Sequence, residues 1–362
     1  MAIALRLVFD RVWLEKLILA LQEQRIDFDA DDFREKIMSE IWDELVLKQR
    51  IRHITLCLSE VLPVEYNDAL PLLEAIAKTF SGLPHLVFPD FIERYGLDAP
   101  EESLAALMRL TQGSSSEFAI RPFIENNQSS VLGLMLQWTQ HSNAHVRRLA
   151  CEGSRPRLPW GRALVALKVH PDPLRPILDA LRSDESLYVR KSVANNLNDI
   201  SKDHPGWVLD WCTQWYGQSV ETDWVIKHGL RTLLKQGDAR ALSLIGYQKP
   251  NGVKIESWAV DSEVMMGQKI GFEATLNLEK LIGQKVRLEY AISFVRKQSS
   301  PYRKVFKISE FIAITAIKNV YKRHDFKAIS TRTYCTGKHK LELLVNGVVM
   351  TESDFILCEK RL

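Results

Sequence analysis

The sequence predicts a mainly α protein, in which a solenoid of HEAT-like helical repeats is followed by an immunoglobulin-like β-sandwich. Two observations predict this fold class. Apolar residues recur at helical spacing through residues 1–250, and short runs of β-branched and aromatic residues fill residues 251–362. A turn-forming segment from Gly246 to Gly252 separates the two patterns. We therefore expect a repeat domain at 1–250 and a β domain at 251–362.

The helical region contains an internal repeat. Three similar segments, HVRRLA, YVRKSVA and WVIKHGL, place valines at Val146, Val189 and Val225, which are 43 and 36 residues apart. This interval is typical of HEAT and armadillo repeats, whose stacked helix pairs leave a concave face. The polar residues predicted as helix N-caps are Asn143, Asp184 and Thr222. A concave face that carries basic residues suits a rod-shaped polyanion.

The C-terminal region has six segments with strand-like patterns. They are Val253–Val260, Lys269–Leu278, Val286–Val295, Lys304–Ile308, Ile312–Tyr321 and Lys338–Leu344. Asn346 and Gly347 follow the last segment and form the strongest short hairpin signal in the chain. About seven short strands is the size of an immunoglobulin-like sandwich. The Cys–Trp–Cys pattern of antibody domains is absent, so we do not expect a true antibody-type domain.

The composition is that of a globular protein whose charge is unevenly distributed. The chain is 46% hydrophobic and 26% charged, with a formal net charge of +3. Residues 1–100 carry 11 Lys and Arg against 18 Asp and Glu, whereas residues 251–362 carry 19 against 12. We therefore expect a polyanion to meet the later part of the chain.

Several classes of protein receive no support from the sequence. No apolar run reaches the length of a membrane helix, and the five cysteines contain no CxxC pair. The signatures GxGxxG, GxxxxGK[ST], HExxH and GxSxG are all absent. NTP hydrolysis, nicotinamide chemistry and zinc chemistry are therefore unsupported, and the odd number of cysteines fits a reducing cytosol. We therefore expect a cytoplasmic protein.

The segment from His141 to Arg162 is rich in arginine and contains a single acid, Glu152. Its five arginines are Arg147, Arg148, Arg155, Arg157 and Arg162. Guanidinium groups bind phosphate with two parallel hydrogen bonds, and five such cations repel one another when no partner is present. We therefore predict an anion site. Arg148 and Glu152 alone have the i, i+4 spacing of an ordinary helical ion pair.

One aromatic residue, one acidic residue and one polar helix face have two interpretations each. Trp160 is either a core aromatic or a platform for a sugar or base beside the arginines. Glu117 either begins a helix, where it compensates the helix dipole, or belongs to a site. Ser192, Asn195 and Asp199 share one helix face, which is either a site or a polar helix end that frays into the residues after it.

The β region contains a second basic segment. Residues 285–340 carry 14 Lys and Arg against three acids, with aromatic residues interleaved. This pattern predicts binding to duplex DNA through its phosphates, with strong dependence on salt. We expect the β domain to add affinity for DNA and to take no part in the chemistry.

Four segments of the chain resemble one protein family. They are SSEFAIRPF (115–123), HVRRLACEGSRPRLPW (145–160), SLYVRKSVANNLNDISKDHP (186–205) and KHGLRTLLKQGDARAL (227–242). In order and spacing they are similar to the AlkC branch of the AlkC/AlkD alkylpurine DNA glycosylases. The resemblance covers essentially the whole chain and is weaker over the first hundred residues. A C-terminal immunoglobulin-like domain occurs in one subgroup of that branch.

The resemblance implies a bacterial base-excision repair enzyme. Such an enzyme removes cationic N3-alkylated bases, namely 3-methyladenine and 3-methylcytosine, from duplex DNA without a metal or cofactor. The resemblance implies that the catalytic residues are Glu117, Glu152 and Asp199, with Trp160, Arg148 and Arg155 beside them. We expect contacts with the substrate or DNA from Arg147, Arg148, Arg155, Arg157, Trp160, Phe118 and Asn195.

Two other functions remain open at this point. The basic β region and the repeats also suit a DNA-binding scaffold without catalytic activity, and the repeats alone suit a module that binds a polyanionic protein. For the glycosylase we expect a monomer whose partner is double-stranded DNA with alkylated bases and not a membrane. The sequence does not decide which of the two alkylated bases is preferred, or how far the base leaves the duplex.

Overall fold

The computed structural model describes residues 5–296, 301–327 and 334–359. The described residues form two compact units. The first contains the residues up to Asp203 together with Gly217–Gly229, and the second contains His204–Tyr216 together with the residues from Leu230 onward. Lys297 and Arg332 of the predicted basic segment lie outside the described residues.

Sixteen α-helices occur in the described part of the chain. They are α1 (Arg11–Glu23), α2 (Ala30–Ile37), α3 (Leu47–Val61), α4 (Tyr66–Ala77), α5 (Val87–Tyr95), α6 (Pro100–Leu110), α7 (Arg121–Asn126), α8 (Gln128–Trp138), α9 (Ala144–Glu152), α10 (Val165–Val169), α11 (Arg175–Leu181), α12 (Leu187–Ile200), α13 (Pro205–Trp215), α14 (Val220–Gly229), α15 (Arg231–Gln236) and α16 (Ala239–Leu244). Helices α13, α15 and α16 belong to the second unit and the others to the first.

The predicted repeat is present in the first unit. The three valines, Val146, Val189 and Val225, lie in α9, α12 and α14, and all are fully buried. Helix α12 packs against both α9 and α14, and α8 and α11 also pack against α9. Consecutive repeats therefore contribute neighbouring helices to one stack, which confirms the helical-repeat solenoid.

One of the three predicted N-caps is correct. The side chain of Asn143 accepts a hydrogen bond from the backbone N–H of His145 at 2.8 Å and caps α9. The prediction for Asp184 is wrong, because Ser186 is the N-cap of α12 and Asp184 accepts the Ser186 N–H instead. The prediction for Thr222 is also wrong, because α14 begins two residues earlier, at Val220.

The second unit contains eight described strands in two sheets. The strands are β1 (Lys254–Val260), β2 (Glu263–Met265), β3 (Lys269–Asn277), β4 (Lys285–Phe294), β5 (Tyr302–Ile312), β6 (Ile317–Asp325), β7 (Gly337–Val345) and β8 (Val348–Cys358). One sheet has the order β1-β3-β6 and the other β2-β8-β7-β4-β5. All strand pairs are antiparallel except β2 with β8. Buried apolar residues of both sheets form shared clusters, as a β-sandwich requires.

The hairpin prediction is confirmed, whereas one strand prediction is wrong. Asn346 and Gly347 join β7 to β8 with φ values of 46° and 77°, as a type I′ turn requires. The strand predicted at Ile312–Tyr321 is wrong, because the chain leaves the five-stranded sheet after Ile312 and enters the other sheet at Ile317. An apolar run that crosses between two sheets looks like one strand in the sequence. The three-residue strand β2 is too short to be predicted.

The change from helix to strand lies between Leu244 and Lys254. The last two helices nevertheless cluster with the sheets, and α15 packs against β5. The domain boundary at residue 250 stays a prediction.

Candidate active site

The three predicted catalytic carboxylates lie in the first unit, on segments that the helical stack brings together. Glu117 lies in the turn between α6 and α7, Glu152 is the last residue of α9, and Asp199 lies in the last turn of α12. Because α9 and α12 pack side by side and both carboxylates lie near the C-terminal ends of these helices, Glu152 and Asp199 are neighbours.

The carboxylates alternate with arginines in one continuous chain of ion pairs. A nitrogen of Arg148 lies 2.6 Å from Glu117 Oε2, and its second terminal nitrogen lies 3.5 Å from Glu152 Oε1. Arg155 then contacts Glu152 Oε1 at 2.7 Å and Asp199 Oδ2 at 2.8 Å. The structure therefore places Glu117, Glu152 and Asp199 in one network.

Arg155 is the buried centre of this network, with only 7% of its side chain exposed. Burial opposes its charge, but the hydrogen bond to Asp199 and the charge of Glu152 prevail and raise the pKa of Arg155. The other Asp199 oxygen contacts Lys202 Nζ at 3.2 Å. A buried charge needs this degree of pairing, since an unpaired one is strongly destabilising.

Hydroxyl groups also hold two of the carboxylates, at the second oxygen of Glu152 and at the same Glu117 oxygen that Arg148 contacts. Ser192 Oγ donates to Glu152 Oε2 at 2.6 Å, and Ser115 Oγ donates to Glu117 Oε2 at 2.6 Å. The guanidinium of Arg148 also lies 4.8 Å from the ring centroid of Tyr188. The carboxylates are therefore held in fixed orientations before any ligand arrives.

The face that carries Ser192 and Asp199 lies within the regular helix α12. Helix α12 continues through Ile200, and Asp199 is only 2% exposed. The alternative interpretation as a fraying helix end is therefore wrong. Asn195 lies on the same helix, one turn before Asp199, and is partly buried.

The arginines of this segment have acidic partners within the protein, so their number alone does not require an external anion, and the anion site stays a prediction. Every arginine in the segment pairs with a carboxylate, and all five reach acids far away in the sequence. Arg147 contacts Asp184 at 2.7 Å, and Arg157 contacts Asp203 at 2.6 Å. Arg162 contacts a glutamate of α7 at 2.8 Å. The expectation counted only the acid within the segment, whereas the stack supplies acids from other helices.

Arg121 is a site residue that the sequence analysis missed. Its side chain is fully buried, and it donates to the carbonyl oxygens of Gly153, Arg155 and Arg162 at 2.7–2.9 Å. Burial lowers its pKa to about 10. Arg121 thus anchors the loop that carries Arg155 and Trp160. The sequence signal for Arg121 is an arginine within the apolar run FAIRPF.

A cavity of about 370 Å³ adjoins the carboxylates. Glu117, Glu152 and Arg155 line one part of it, and Phe118 and Trp160 are also in its wall. Trp160 is 67% exposed and has a left-handed backbone with φ of 64°, so its interpretation as a core aromatic is wrong. An exposed indole on a loop is free to contact a ligand.

Lys48 of α3 reaches this part of the molecule from the N-terminal region. Its ammonium lies 4.6 Å from the ring centroid of Phe118 and donates to the backbone carbonyl of Trp160 at 2.7 Å. The sequence analysis did not select Lys48, because no local motif marks it. Only the folded stack brings helix α3 beside residues 114–119.

The basic segment of the β unit has fewer unpaired charges than its composition suggests. Glu342, Glu352 and Asp354 lie outside the segment and pair with Arg303, Lys340 and Lys338. The exposed residues of β6 and its end include Tyr321, Arg323 and Lys327. The net charge available to a polyanion is therefore smaller than the count in the sequence.

Two other kinds of structural feature are absent from the described residues. Within residues 5–296, 301–327 and 334–359, no three His, Cys, Asp or Glu side chains are grouped in a way that could hold a metal ion. No helix among these residues has both the length and the apolar character needed to cross a membrane.

Comparisons with known proteins support the fold, and one of them matches the region that contains the three carboxylates. Residues 113–233 match the family described as "DNA alkylation repair enzyme", and residues 254–359 match "Uncharacterised protein YhaZ, C-terminal Ig-like domain". The chain is 44% identical to the uncharacterized protein YhaZ of Bacillus subtilis (strain 168) over 356 residues, which is 98% of this chain and 99% of that one.

A solved structure is similar over the same length. It is the alkylpurine DNA glycosylase AlkC of Pseudomonas fluorescens, bound to DNA that contains an abasic site analog. The two chains are 37% identical, with a TM-score of 0.92 and coverage of 98% of this chain and 99% of that one. The chain therefore belongs to the AlkC family of alkylpurine DNA glycosylases.

Proposed function

We propose that this protein excises cationic N3-alkylated bases, such as 3-methyladenine and 3-methylcytosine, from duplex DNA by hydrolysing the N-glycosidic bond. The observation that carries the proposal is the network in which Glu117, Glu152 and Asp199 alternate with Arg148 and Arg155. The similarity to AlkC bound to DNA with an abasic site analog supports it.

The chemistry suits a base that is already positively charged. Alkylation at N3 makes the base a good leaving group, because the electron pair of the N-glycosidic bond neutralises it as the bond breaks. Positive charge then develops on the sugar, as in other glycoside cleavages. Water adds to the sugar carbon and releases one proton to the solvent. Fixed carboxylates stabilise the developing charge without reorganising.

We assign different roles to the three carboxylates. Asp199 orients the attacking water and stabilises the sugar cation. Glu117 and Glu152 attract the cationic base and the sugar. The two arginines between them offset the mutual repulsion of the three carboxylates.

The arginines near the site divide into two groups in this proposal. Arg155 is buried between Glu152 and Asp199, so we assign it to holding these carboxylates in position, and a phosphate contact would need one of those pairs to open. Arg148 is held in the same way by Glu117. Arg157, which is more exposed, is the better candidate for a phosphate contact.

Further contacts with the DNA are proposed from exposure and position. We place Trp160 and Phe118 against the lesion or the sugar, and Asn195 beside Asp199. Arg147 is held by Asp184 and two backbone carbonyls, so any DNA contact that it makes is secondary to its structural role. We propose that the β unit contributes affinity through exposed cations such as Arg323. Because its substrate is chromosomal DNA, we place its action in the bacterial cytoplasm.

Release of the free base tests this function directly. The protein is incubated with duplex DNA that contains 3-methyladenine, and the free base is quantified by chromatography. The same measurement on 3-methylcytosine and on undamaged duplex defines the range of substrates. We expect release from both alkylated substrates and none from undamaged DNA. Release no faster than the spontaneous rate would contradict the proposal and favour a DNA-binding scaffold without activity.

A further inference from the structure

The loop that carries Trp160 is anchored by Arg121 at positions on both sides of that residue. Arg121 donates to the carbonyl oxygens of Gly153, Arg155 and Arg162. The indole of Trp160 is 67% exposed, and its backbone has a φ of 64°, a conformation that residues other than glycine rarely adopt. A residue keeps such a conformation only when its surroundings hold it there. Trp160 therefore needs an anchor of its own.

Lys48 of α3 provides a hydrogen bond to the backbone of Trp160. Its ammonium donates to the carbonyl oxygen of Trp160 at 2.7 Å. Among the described residues, Trp160 takes part in no other hydrogen bond. The same ammonium lies 4.6 Å from the ring centroid of Phe118, within the range of a cation–π interaction. Because Phe118 follows Glu117 in the turn after α6, Lys48 joins two segments of the site.

The position of Lys48 in its own helix does not favour a cation. Lys48 is the second residue of α3, whose first turn carries no acidic residue, and the helix dipole opposes a positive charge there. Asp90 and Glu93 of α5 offset part of this cost. Burial raises the pKa values of both carboxyls, and the charge of Lys48 acts against that rise. The stability of α3 thus gives no reason for a lysine at this position, whereas the contact with Trp160 does.

We propose that Lys48 is a positioning residue, which fixes the left-handed backbone of Trp160 and thereby the direction of its indole. The inference rests on the proposed function, which places Trp160 against the lesion or the sugar. Lys48 lies outside residues 113–233, the segment that matches the DNA alkylation repair family. The machinery of the site therefore extends beyond that segment into helix α3.

A matched pair of lysine variants tests this role. Lys48→Met removes the charge and the donor and keeps an unbranched side chain. Lys16→Met is the control, because Lys16 is also exposed, donates to the backbone carbonyl of Thr79 and lies 5.0 Å from the ring centroid of Phe80. We expect Lys48→Met to slow single-turnover excision of 3-methyladenine about tenfold and to change the affinity for undamaged duplex by no more than about twofold. Lys16→Met should leave both unchanged.

Two further variants separate positioning from direct contact with DNA and from loss of folding. Lys48→Arg keeps the charge and the donor, and it should recover most of the rate. In a Trp160→Ala background, Lys48→Met should slow excision no further, because its effect is transmitted through Trp160. A tenfold loss that persists in that background would overturn the proposal. A fall in duplex affinity and in its salt dependence without a change in rate would also overturn it, since that result indicates a phosphate contact.

The environment of the indole provides a measurement that does not depend on catalysis. The full-length protein is labelled with 5-fluorotryptophan, and Trp160→Phe identifies the fluorine NMR signal of Trp160 among the nine tryptophans. We expect Lys48→Met to shift or broaden this signal and Lys16→Met to leave it in place. An unmoved signal in Lys48→Met would overturn the proposal, whether or not the protein excises bases. A moved signal in a protein that releases no base would overturn the proposed function and keep Lys48 as the residue that positions Trp160.

Discussion

Asp199 shows how individual residues set the electrostatics of the site. Its two oxygens contact Arg155 and Lys202, and its side chain is almost fully buried. A negative charge is therefore kept in a place where water is scarce, and there it acts on a developing cation more strongly than it would in bulk solvent. The paired cations balance this buried charge at the cost of part of its field.

Replacement of Asp199 by asparagine removes this charge while keeping the shape of the side chain. We expect excision of 3-methyladenine to fall about a hundredfold or more under single-turnover conditions. The affinity for undamaged duplex should change by no more than about twofold, because no phosphate contact is removed. The matched control is Asp203→Asn, which alters the more exposed pair with Arg157 four residues later. Equal activity of the two variants would contradict the catalytic role of Asp199.

Helix α9 carries the centre of the network, since both Arg148 and Glu152 project from it. Its start is fixed by Asn143, whose side chain caps the first turn. Its end is followed by the loop that Arg121 anchors. The geometry of the site therefore depends on how well this one short helix is held at both ends.

Removal of the cap tests this dependence. We expect Asn143→Ala to lower the free energy of unfolding by about 1 kcal/mol, as measured by denaturant titration. Excision should fall as well, because the first turn of α9 frays toward Arg148. The matched control is Asn127→Ala, which removes the equivalent cap of α8. A similar stability loss with full activity is expected for this control, and equal loss of activity in both would argue against a special role for α9.

The helices of the site could be predicted from the sequence, whereas the contacts between them could not. The helices bearing Glu152 and Asp199 could be predicted, because each lies in a segment with strong helical spacing and a repeated motif. The partners of the arginines could not be predicted. Arg147 and Arg157 pair with acids 37 and 46 residues away, and such pairs exist only once helices stack. Lys48 escaped selection because nothing local marks it, whereas Arg121 was marked only by its place in the apolar run FAIRPF.

The whole molecule should respond to acid through His85. Burial lowers the pKa of His85 from 6.5 to about 4, and its Nδ1 has no hydrogen-bond partner among the described residues. The ring also lies against Gly113, where even a Cβ atom would meet its Nε2 at 2.3 Å. Burial therefore favours the neutral imidazole over the charged one.

This burial predicts the direction of a pH effect. Between pH 6.5 and pH 4 the unfolded chain binds a proton at His85 and the folded chain does not, so stability falls as the pH falls through this window. We expect a contribution of roughly 2 kcal/mol to the loss between pH 7 and pH 5. The His85→Leu variant should lack this part of the loss in denaturant titrations. An unchanged pH dependence would show that His85 does not carry it.

The exposed cations of the β unit predict that DNA binding depends on salt concentration. Arg323 and Lys327 are exposed, and no carboxylate pairs with either of them among the described residues. Replacing both with alanine should weaken binding to undamaged duplex and reduce the slope of log K against log salt by up to about 2. The control is the double variant Lys338→Ala and Lys340→Ala, whose lysines already pair with carboxylates. Equal effects of the two double variants would contradict a directed contact.

In the mechanism that we propose, three fixed carboxylates converge on the sugar whose glycosidic bond breaks. A crystal structure with duplex DNA that contains a cationic analogue of the abasic sugar measures this convergence directly. We predict that the positively charged ring atom lies within about 6 Å of a carboxylate oxygen of Asp199 and of Glu117 or Glu152. A sugar bound elsewhere on the molecule, with these carboxylates still sequestered by Arg148 and Arg155 and facing no DNA, would contradict the claim.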